Sequence, residues 1–286
     1  MLGRFGKDAS SLLGVEIASD SIRIAQLRRH RGRYEQLAWA FQALEPFAPG
    51  NGRQDPERLV AALRSAWRQS SSRQRRAAVA LPASQVICKL CRLPAGLAAS
   101  QMEAQLLADA DQLFPFPLED LVLDFQVLGV SPIQPGSLDV LVAASRQSAL
   151  QPLQAAFEAA GLELEAVEVD SIALHRLMPG QDRGPAALLR VEQGGSTLHG
   201  WLEGTLPFQR EWRPDAMPDR PGDVFADGKG PQEVLVVGAP LNGQALLSRL
   251  SDSLELPCRP LPAVAGIDCS DGRMALAFAL AMGSMR

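Results

Sequence analysis

A chain of 286 residues, of which 47% are hydrophobic and 21% charged, can bury a substantial core and is long enough for two domains of ordinary size. Its longest nearly uncharged apolar stretch, residues 274–285, is too short to span a bilayer, and no signal-peptide core follows Arg4 and Lys7. The composition therefore predicts a globular cytoplasmic protein and argues against an integral membrane or secreted one.

Charge is distributed unevenly, although the net charge is only −4. Residues 1–76 carry fourteen Arg and Lys against seven acids, a balance of +7, so the remaining chain carries −11. A basic N-terminal third can face anionic lipid or an acidic partner, although such runs are more often a solvated surface. We do not expect nucleic acid as a partner, because the basic segment SSSRQRR lacks the interleaved aromatic residues that stack on bases.

Four scattered cysteines are too few for a disulfide framework in a chain of this length. Cys88 and Cys91 have the spacing of a zinc or redox site, but the surrounding ICKLCRL alternates like a strand, on which residues three apart point to opposite faces. No second Cys or His pair follows at the spacing that a zinc ribbon needs. We predict two partly buried thiols and no metal site.

The first half of the chain predicts a meander, a helix and a further strand. Residues 12–27, LLGVEIASDSIRIAQL, hold two apolar runs around a polar turn, and the strand RYEQLAWAFQAL follows a tight turn at Arg31-Gly32. A helix capped by Asp55 and the wholly apolar strand AAVALPA complete a β-β-β-α-β unit. Residues 84–146 then predict a β-α-β-β unit, in which Pro115 and Pro117 end the helix near Phe114.

The second half repeats the opening pattern. After a helix over SALQPLQAAFEAAGL, the strand LELEAVEV and a short helix, three strands AALLRVEQ, STLHGWLEG and TLPFQREW form a second meander. Residues 214–232 hold four prolines and three glycines without periodicity and predict a linker. A buried strand, an amphipathic helix, another strand and an apolar helix from about Asp271 follow. The order indicates an internal duplication.

The polar turn in residues 12–27 has the chemistry of a phosphate loop. Backbone N–H groups and the hydroxyls of Ser19 and Ser21 can donate to phosphate, while Glu16 can orient a metal ion. The frame from Glu16 to Arg23 resembles the first phosphate loop of the actin-like ATPases and, more narrowly, that of the PilM family of type IV pilus assembly, which runs Asp-x-Ser-Ser-x-Ser-x-Lys. Residues 104–125 resemble the same family in an Ala-Asp-Gln helix, an aromatic-Pro-aromatic-Pro-Leu-Glu turn and an Asp-Phe strand.

The resemblance implies an α/β protein with the actin-like ATPase fold, built from two ribonuclease-H-like domains. Residues 1–83 and 147–183 would form the first domain, residues 84–146 a small inserted β-α-β-β subdomain, and residues 184–286 the second domain with its linker 214–232. In the family a helical subdomain closes over the adenosine at the position of this linker. Because the linker is too short to hold it, we expect that subdomain to be missing.

The resemblance also implies a degenerate nucleotide site. Its residues would be Glu16, Ser19 and Ser21 in the first loop, Gly194, Gly195 and Ser196 in the second, and Gly238 beside the base. Three departures argue against Mg-ATP: Asp20 places a carboxylate in the first loop, Arg190 replaces the metal-holding Asp of the second, and the lid subdomain is absent. We therefore expect no catalytic residue, no metal and no bound cofactor.

The function that the resemblance implies is a cytoplasmic scaffold and not an enzyme. It would dock the N-terminal tail of a PilN-like single-span inner-membrane protein, link the cytoplasmic machinery to the alignment subcomplex and lie at the inner membrane through that partner; self-association is left open. The alternatives are a weak actin-like ATPase of pilus assembly or of a related type II secretion system, and a sugar kinase, for which no Asp base is visible.

The sequence predicts the tail-binding cleft between the first domain and the inserted subdomain. The candidate residues are Asp111, Gln112, Phe114, Phe116 and Leu118, at the end of a helix and in the rigid corner that follows. An aromatic residue at a helix end is more often packing than recognition, so Phe114 or Phe116 could instead belong to the core.

Overall fold

Three β-sheets and the helices packed on them make up the described part of the chain. The computed structural model describes residues 10–44, 55–179, 186–192, 194–202, 206–219, 230–238, 244–267 and 272–285. The predicted linker 214–232 lies partly outside these residues, and Asp271, near which the last helix is predicted to begin, lies wholly outside them. No helix in the described ranges is long and apolar enough to cross a membrane.

The first sheet contains the opening meander. Its strands are β1 (Leu13–Ile17), β2 (Ser21–His30), β3 (Arg33–Ala43), β4 (Arg76–Leu81) and β8 (Glu163–Val169). They lie in the order β3-β2-β1-β4-β8, with antiparallel pairing in the meander and parallel pairing of β1 with β4 and of β4 with β8. Helices α1 (Pro56–Ser70) and α4 (Gln147–Ala160) cover one face and share a core that contains Leu63 and Phe157.

The second sheet repeats this connectivity. Its strands are β9 (Ala186–Glu192), β10 (Gly195–Leu202), β11 (Leu206–Trp212), β12 (Glu233–Gly238) and β13 (Cys258–Pro260). Their order is β11-β10-β9-β12-β13, again an antiparallel meander followed by parallel strands. Helix α6 (Gln244–Leu254) packs Leu250 and Leu254 against Val234 and Val236 of β12. The predicted duplication of the fold is confirmed.

The third sheet is small and antiparallel. It consists of β5 (Ile87–Pro94), β6 (Leu121–Val130) and β7 (Ser137–Arg146) in the order β5-β7-β6. Helices α2 (Ala99–Ala108) and α3 (Ala110–Leu113) lie between β5 and β6 in the chain, which gives the predicted β-α-β-β order. The one helix that the sequence predicts in this unit, ending near Phe114, is instead two helices, because the chain leaves the α-helical region at Asp109, where ψ is 0°.

A central apolar helix joins the first two sheets. Helix α7 (Ala275–Gly283) is buried from Ala275 to Met282 and packs against β1, β2 and the short helix α5 (Asp170–His175). Its core also includes Leu188 and Leu235 of the second sheet. Gly14 of β1 allows this approach, because a Cβ at that position would lie 2.0 Å from the carbonyl oxygen of Ala277. The helix therefore holds the two sheets, and the hairpins at their ends, in a fixed relation.

Candidate functional site: an ion network between the two hairpins

The turn between β1 and β2 faces the turn that precedes β10. A Cβ built on Gly194 would lie 2.9 Å from Oγ of Ser19, so the two turns nearly touch. Ser19 is exposed, whereas Ser21, at the start of β2, is fully buried. The duplicated fold therefore brings together the two loops that the sequence assigned to phosphate.

A buried carboxylate and two guanidinium groups occupy the space beneath these turns. Glu16, at the end of β1, accepts a very short hydrogen bond from Nη2 of Arg190 on β9 and a longer one, 3.3 Å, from Nη1 of Arg23 on β2. The Arg23 side chain is only 2% exposed. Glu16 is therefore paired with a residue of its own sheet and with a residue of the second sheet.

Two further carboxylates complete the network. Arg23 Nη1 donates to Glu192 at 2.7 Å, and Arg190 Nη2 donates to the same Glu192 oxygen at 2.8 Å. Arg23 also donates through Nη2 to Asp20 at 3.2 Å, and through Nη1 to the carbonyl of Arg273 at 2.9 Å. Two ion pairs thus join the first sheet to the second: Arg23 with Glu192, and Glu16 with Arg190.

Strand register explains why these side chains meet. Glu16 and Arg23 are direct cross-strand neighbours on the antiparallel pair β1–β2. Arg190 and Glu192 are two residues apart on β9, and residues at that spacing share one face of a strand. The network, defined by Glu16, Arg23, Arg190 and Glu192, therefore follows from two strand ends of a duplicated fold that face each other.

Burial and charge act in opposite directions on the carboxyl groups. Burial raises the pKa of Glu16 above its ordinary value, although Arg190 and Arg23 work against it. Burial alone would also raise the pKa of Glu192, but Arg190 and Arg23 outweigh it and lower that pKa. The second oxygen of Glu16 is buried and has no hydrogen-bond partner among the described residues. Glu16 thus depends on its two arginines for compensation.

The other predicted nucleotide-site residues lie at the same end of the sheets. Ser21 Oγ donates to Asp20 at 2.7 Å and accepts from Arg23 Nε at 3.0 Å, so its hydroxyl is already used. Gly195 and Ser196 begin β10, and Gly238 ends β12 opposite Val191 of β9. Of the seven residues predicted for the nucleotide site, Glu16 is a member of the ion network and Ser21 is hydrogen-bonded to it through Arg23.

Sequence reasoning missed the role of two network members. Neither Glu192 nor Arg23 is among the residues that the sequence assigns to the nucleotide site. Asp20 was expected to repel a ligand, whereas in the structure it is paired with Arg23. One signal in the sequence could have indicated the pairing. Arg190 replaces the acid of the second loop, whereas the first loop keeps an acid, Glu16, and these two side chains can form an ion pair if the loops meet.

This arrangement opposes metal-assisted phosphate chemistry. A guanidinium group has donors only and cannot coordinate Mg²⁺. A phosphate that sought Arg23 or Arg190 would have to displace buried carboxylates, and leaving such a carboxylate unpaired is costly. In the described ranges no group of three or more His, Cys, Asp or Glu could hold a metal ion.

A second buried polar contact joins α5 to the second sheet. His199 of β10 is fully buried, and its Nδ1 lies 2.9 Å from Oγ of Ser171, which is also fully buried. Burial, with a smaller contribution from Arg190, lowers the pKa of His199 to about 3, so the imidazole is neutral. Asp170 precedes Ser171 and accepts from its backbone N–H. Because Ser171 is closed off from solvent, this Asp-Ser-His group is a structural cross-link and not a hydrolytic site.

Cys88 and Cys91 lie on β5, as the alternation predicts, and both are free and half-buried. Burial raises the pKa of Cys88 to about 11 and also raises that of Cys91. Raised pKa values keep both thiols protonated near neutral pH, where the thiolate is the reactive and metal-binding form. The geometry agrees with two unreactive thiols.

The predicted tail-binding residues differ in their burial. Phe114 is only 3% exposed and belongs to the core of the third sheet, which is the alternative that the sequence left open for Phe114 or Phe116. It packs inward because α2 and α3 cover that sheet. Phe116 is half-buried, with the Arg146 guanidinium 5.3 Å from its ring centre. Asp111, Gln112 and Leu118 are exposed.

A groove does lie between the first and third sheets, but other residues line it. Its volume is about 490 Å³, and its walls are β6 and β7 on one side and β8 and α5 on the other. The lining residues are Asp124, Phe125, Gln126, Leu141, Ala143, Glu165, Ala166, Val167, Glu168, Val169, Ile172 and Arg176. A neighbouring cavity of about 230 Å³ shares Glu165, Ala166 and Glu168 and extends the groove along β8.

Two five-stranded sheets with the same strand order and facing hairpins, a central helix and a small inserted sheet define a protein of the actin-like ATPase fold. Comparison with known families gives the narrower assignment. The chain belongs to the family described as type IV pilus assembly protein PilM, whose model matches residues 14–183. The resemblance seen in residues 12–27 and 104–125 is thereby confirmed.

Solved structures of known proteins share this fold. A PilM–PilN type IV pilus biogenesis complex is 21% identical and superposes with a TM-score of 0.75, covering 96% of this chain and 99% of that one. The cytoplasmic domain of EpsL, an inner-membrane component of the type II secretion system of Vibrio cholerae, is 16% identical with a TM-score of 0.53, covering 96% of both chains. The ethanolamine utilization protein EutJ of Carboxydothermus hydrogenoformans is 10% identical with a TM-score of 0.51, covering 96% of this chain and 90% of that one. At these identities the likeness is one of fold.

Proposed function

We propose that this chain is a docking protein of type IV pilus assembly, which binds the N-terminal tail of a PilN-like inner-membrane protein and does so without hydrolysing ATP. In this role it lies in the cytoplasm, peripheral to the inner membrane through its partner, and links cytoplasmic components to the alignment subcomplex. Family membership and the fold shared with a PilM–PilN complex support the type of partner.

The observation that carries the proposal is the groove between β6 and β8. Both are outer strands of their sheets, so each has one row of backbone N–H and C=O groups without a partner strand in its sheet. Consecutive residues of both strands, 124–126 and 165–169, line the groove, together with Leu141 and Ala143 of β7. An extended peptide can bind such an edge as an added strand, with main-chain hydrogen bonds for affinity and side-chain pockets for specificity. The groove thus suits a short extended tail better than a folded domain.

The lining of the groove fits a tail that is apolar and carries some charge. Phe125, Leu141 and Val167 supply an apolar surface. Among the charged lining residues, Glu168 is paired with Arg176 at 2.5 Å, and Asp124 accepts from the backbone N–H of Phe125 at 2.8 Å. A few oriented polar groups on an apolar surface are the usual composition of a specific peptide site.

The ion network supports the second half of the proposal, the absence of ATP hydrolysis. Glu16, Arg23, Arg190 and Glu192 fill with internal pairs the space in which an actin-like ATPase would hold phosphate and metal. In addition, β11 ends at Trp212 and β12 begins at Glu233, which leaves little chain for a subdomain over the base. The chain would then bind the tail of its partner but would not hydrolyse ATP.

A peptide titration tests the proposal. The probe is a synthetic peptide with the sequence of the N-terminal tail of the PilN-like protein of the same organism. Its binding to the wild type and to Ala143→Leu is measured by calorimetry. Ala143 is half-buried in the groove wall, so the larger side chain should obstruct the site and weaken binding at least about tenfold, roughly 1.4 kcal/mol.

Phe116→Ala is the matched control, because Phe116 does not line the groove. It should bind the peptide as the wild type does, with circular dichroism to establish that both variants are folded. Absence of binding by the wild type would refute the proposed partner. Equal binding by the wild type and Ala143→Leu would refute the proposed position.

A further inference from the structure

Six exposed arginines collect at one edge of the first sheet. Strand β2 ends at this edge, where β1 and β4 begin, because β1 is antiparallel to β2 and parallel to β4. Two hydrogen bonds hold the segment between α1 and β4 there, from Ser72 Oγ to Gln26 at 2.6 Å and from Gln74 Nε2 to the carbonyl of Ser11 at 3.3 Å. The β2–β3 hairpin and the end of α1 therefore bring their arginines to the same edge. These residues, which we call the basic edge, are Arg29, Arg31, Arg33, Arg68, Arg73 and Arg75.

None of these six guanidinium groups has an acidic partner in the described part of the chain. Arg29 and Arg75 lie instead over aromatic rings, at 6.0 Å from the ring centre of Tyr34 and 5.2 Å from that of Trp67. Acids that could pair locally are scarce, because residues 58–102 contain no Asp or Glu. The charge of the basic edge is therefore left for solvent or for a partner.

The surroundings neutralise only part of this charge. Two further arginines of the same region, Arg28 and Arg76, are each paired with an acid. Eight arginines thus meet three acids, although the chain as a whole carries −4. The acids are Glu35, Glu163 and Glu165. The helix dipole favours a cation at Arg68, in the last turn of α1, but it does not explain the other five unpaired arginines.

An anionic bilayer fits the extent and the chemistry of the basic edge. Its cations are spread over a hairpin and a helix end, and none of them lines the cavities described above, so they suit a broad surface that offers many phosphates. Arginine binds phosphate through two parallel N–H groups. Basic side chains are also attracted to an anionic leaflet within about a Debye length of it.

Nucleic acid fits the basic edge less well. Proteins that bind single strands use accessible aromatic rings on which bases stack. Here Tyr34 and Trp67 are half-buried and lie beneath Arg29 and Arg75, and the Trp67 indole N–H donates to the carbonyl of Gln74 at 2.9 Å. These rings support the arginines and do not offer free stacking surfaces.

The proposed tail-binding groove runs to the same edge of the sheet. The cavity of about 230 Å³ that extends the groove along β8 is lined by Ser10, just before β1, and by Arg76, at the start of β4. A tail bound in the groove could therefore leave the protein at the basic edge and continue to its membrane-spanning segment. This second line of support rests on the proposed function, whereas the charge of the edge does not.

We propose that the basic edge binds the phosphate groups of an anionic phospholipid bilayer, so that the chain contacts the membrane directly as well as through its partner. The contact is electrostatic, with the arginines at the level of the lipid headgroups. In this orientation one end of the groove faces the membrane from which the partner's tail emerges.

Vesicle sedimentation with the full chain, in the absence of the partner, is the first measurement. The probes are vesicles of phosphatidylcholine and phosphatidylglycerol in equal amounts, and vesicles of phosphatidylcholine alone. The protein should bind the anionic vesicles at low ionic strength, dissociate from them at about 0.5 M salt, and leave the neutral vesicles unbound. Equal binding to both kinds of vesicle, or binding to neither, would overturn the proposal.

A charge reversal tests the position of the contact. Arg31→Glu/Arg73→Glu changes one arginine of the hairpin and one of the segment after α1. Neither side chain is ion-paired within the described ranges, so the variant should fold, which circular dichroism checks. Its affinity for anionic vesicles should fall at least about tenfold, because each basic residue near an anionic surface contributes about fivefold.

Arg210→Glu/Arg249→Glu is the matched control. It makes the same change in net charge at two exposed arginines on β11 and α6, outside the basic edge, and should bind anionic vesicles like the wild type. If the two double variants and the wild type all bind equally, the contact lies elsewhere and the proposal is wrong.

Two further titrations separate this proposal from its alternatives. Tighter binding to double-stranded DNA than to anionic vesicles at the same salt, lost in Arg31→Glu/Arg73→Glu, would assign the basic edge to nucleic acid and overturn the proposal. Arg31 and Arg73 do not line the groove, so their double variant should bind the tail peptide like the wild type. Loss of vesicle binding with peptide binding retained supports the membrane contact. A wild type that binds the peptide but not anionic vesicles refutes the membrane contact and leaves the docking function intact.

Discussion

Replacing Arg190 by Met should destabilise the protein strongly, because it removes one guanidinium group from the ion network. Glu16 would keep only the 3.3 Å contact with Arg23, and its second oxygen already has no partner in the described chain. Breaking a buried ion pair by removing one partner typically costs about 3–5 kcal/mol, most of which is the penalty for the charge left behind. We expect a loss in that range in urea unfolding.

The double variant Glu16→Gln/Arg190→Met separates the ion pair from simple loss of volume. Because Gln removes the stranded charge, the double variant should be more stable than the sum of the two single losses by about 1–2 kcal/mol. Arg76→Met is a suitable control, since its pair with Glu165 is exposed and should cost no more than about 0.5 kcal/mol. A loss for Arg190→Met as small as that of the control would refute the view that the network holds the two sheets together.

Three further predictions concern the central helix, a buried histidine and the second loop. Gly14→Ala should lower the free energy of unfolding by about 3 kcal/mol or more, because its methyl group would meet backbone atoms of α7. Gly194→Ala would meet only the movable Ser19 hydroxyl and should lower it by less than about 1 kcal/mol. Thermal unfolding of the two variants checks this contrast. The lowered pKa of His199, about 3, means that the unfolded chain binds a proton below its ordinary pKa of 6.5 while the folded chain does not, so stability falls as pH drops through that window. From pH 7 to pH 5 this contribution is about 2 kcal/mol, and it should be missing from the urea midpoints of His199→Asn; an unchanged pH dependence would contradict it. Arg190→Asp alone should not confer binding of Mg-ATP in calorimetry, because we predict from the short linker 214–232 that the chain has no lid over the base.

The fold was predictable because its signals are local and repeated. Apolar runs, a polar turn after Ile17 and the second meander fixed the order of strands, and the structure confirms the duplicated sheets. The positions of Glu16 and Arg190 followed from the loop frames. Their pairing did not, because it depends on two strands that are far apart in sequence but meet end to end in the fold.

The groove between the first and third sheets, where we propose that the tail binds, could not be located from the sequence for a similar reason. The sequence favours the corner around Phe114 and Phe116 as the binding site because aromatic residues between prolines form a rigid, recognisable motif in the chain. In the structure Phe114 packs inward, and the groove is lined instead by Ala143, Val167 and other ordinary strand residues. Which strand edges face each other is a property of tertiary arrangement, and no residue type marks it in advance.

Calorimetric titration of the purified protein with Mg-ATP tests the central claim most directly, namely that the chain's own charged side chains occupy the place of phosphate and metal. With Glu16, Arg23, Arg190 and Glu192 paired among themselves, we expect no binding, or binding too weak to saturate at about 1 mM nucleotide. A dissociation constant in the low micromolar range, or nucleotide retained through purification, would contradict the account and favour a working actin-like ATPase.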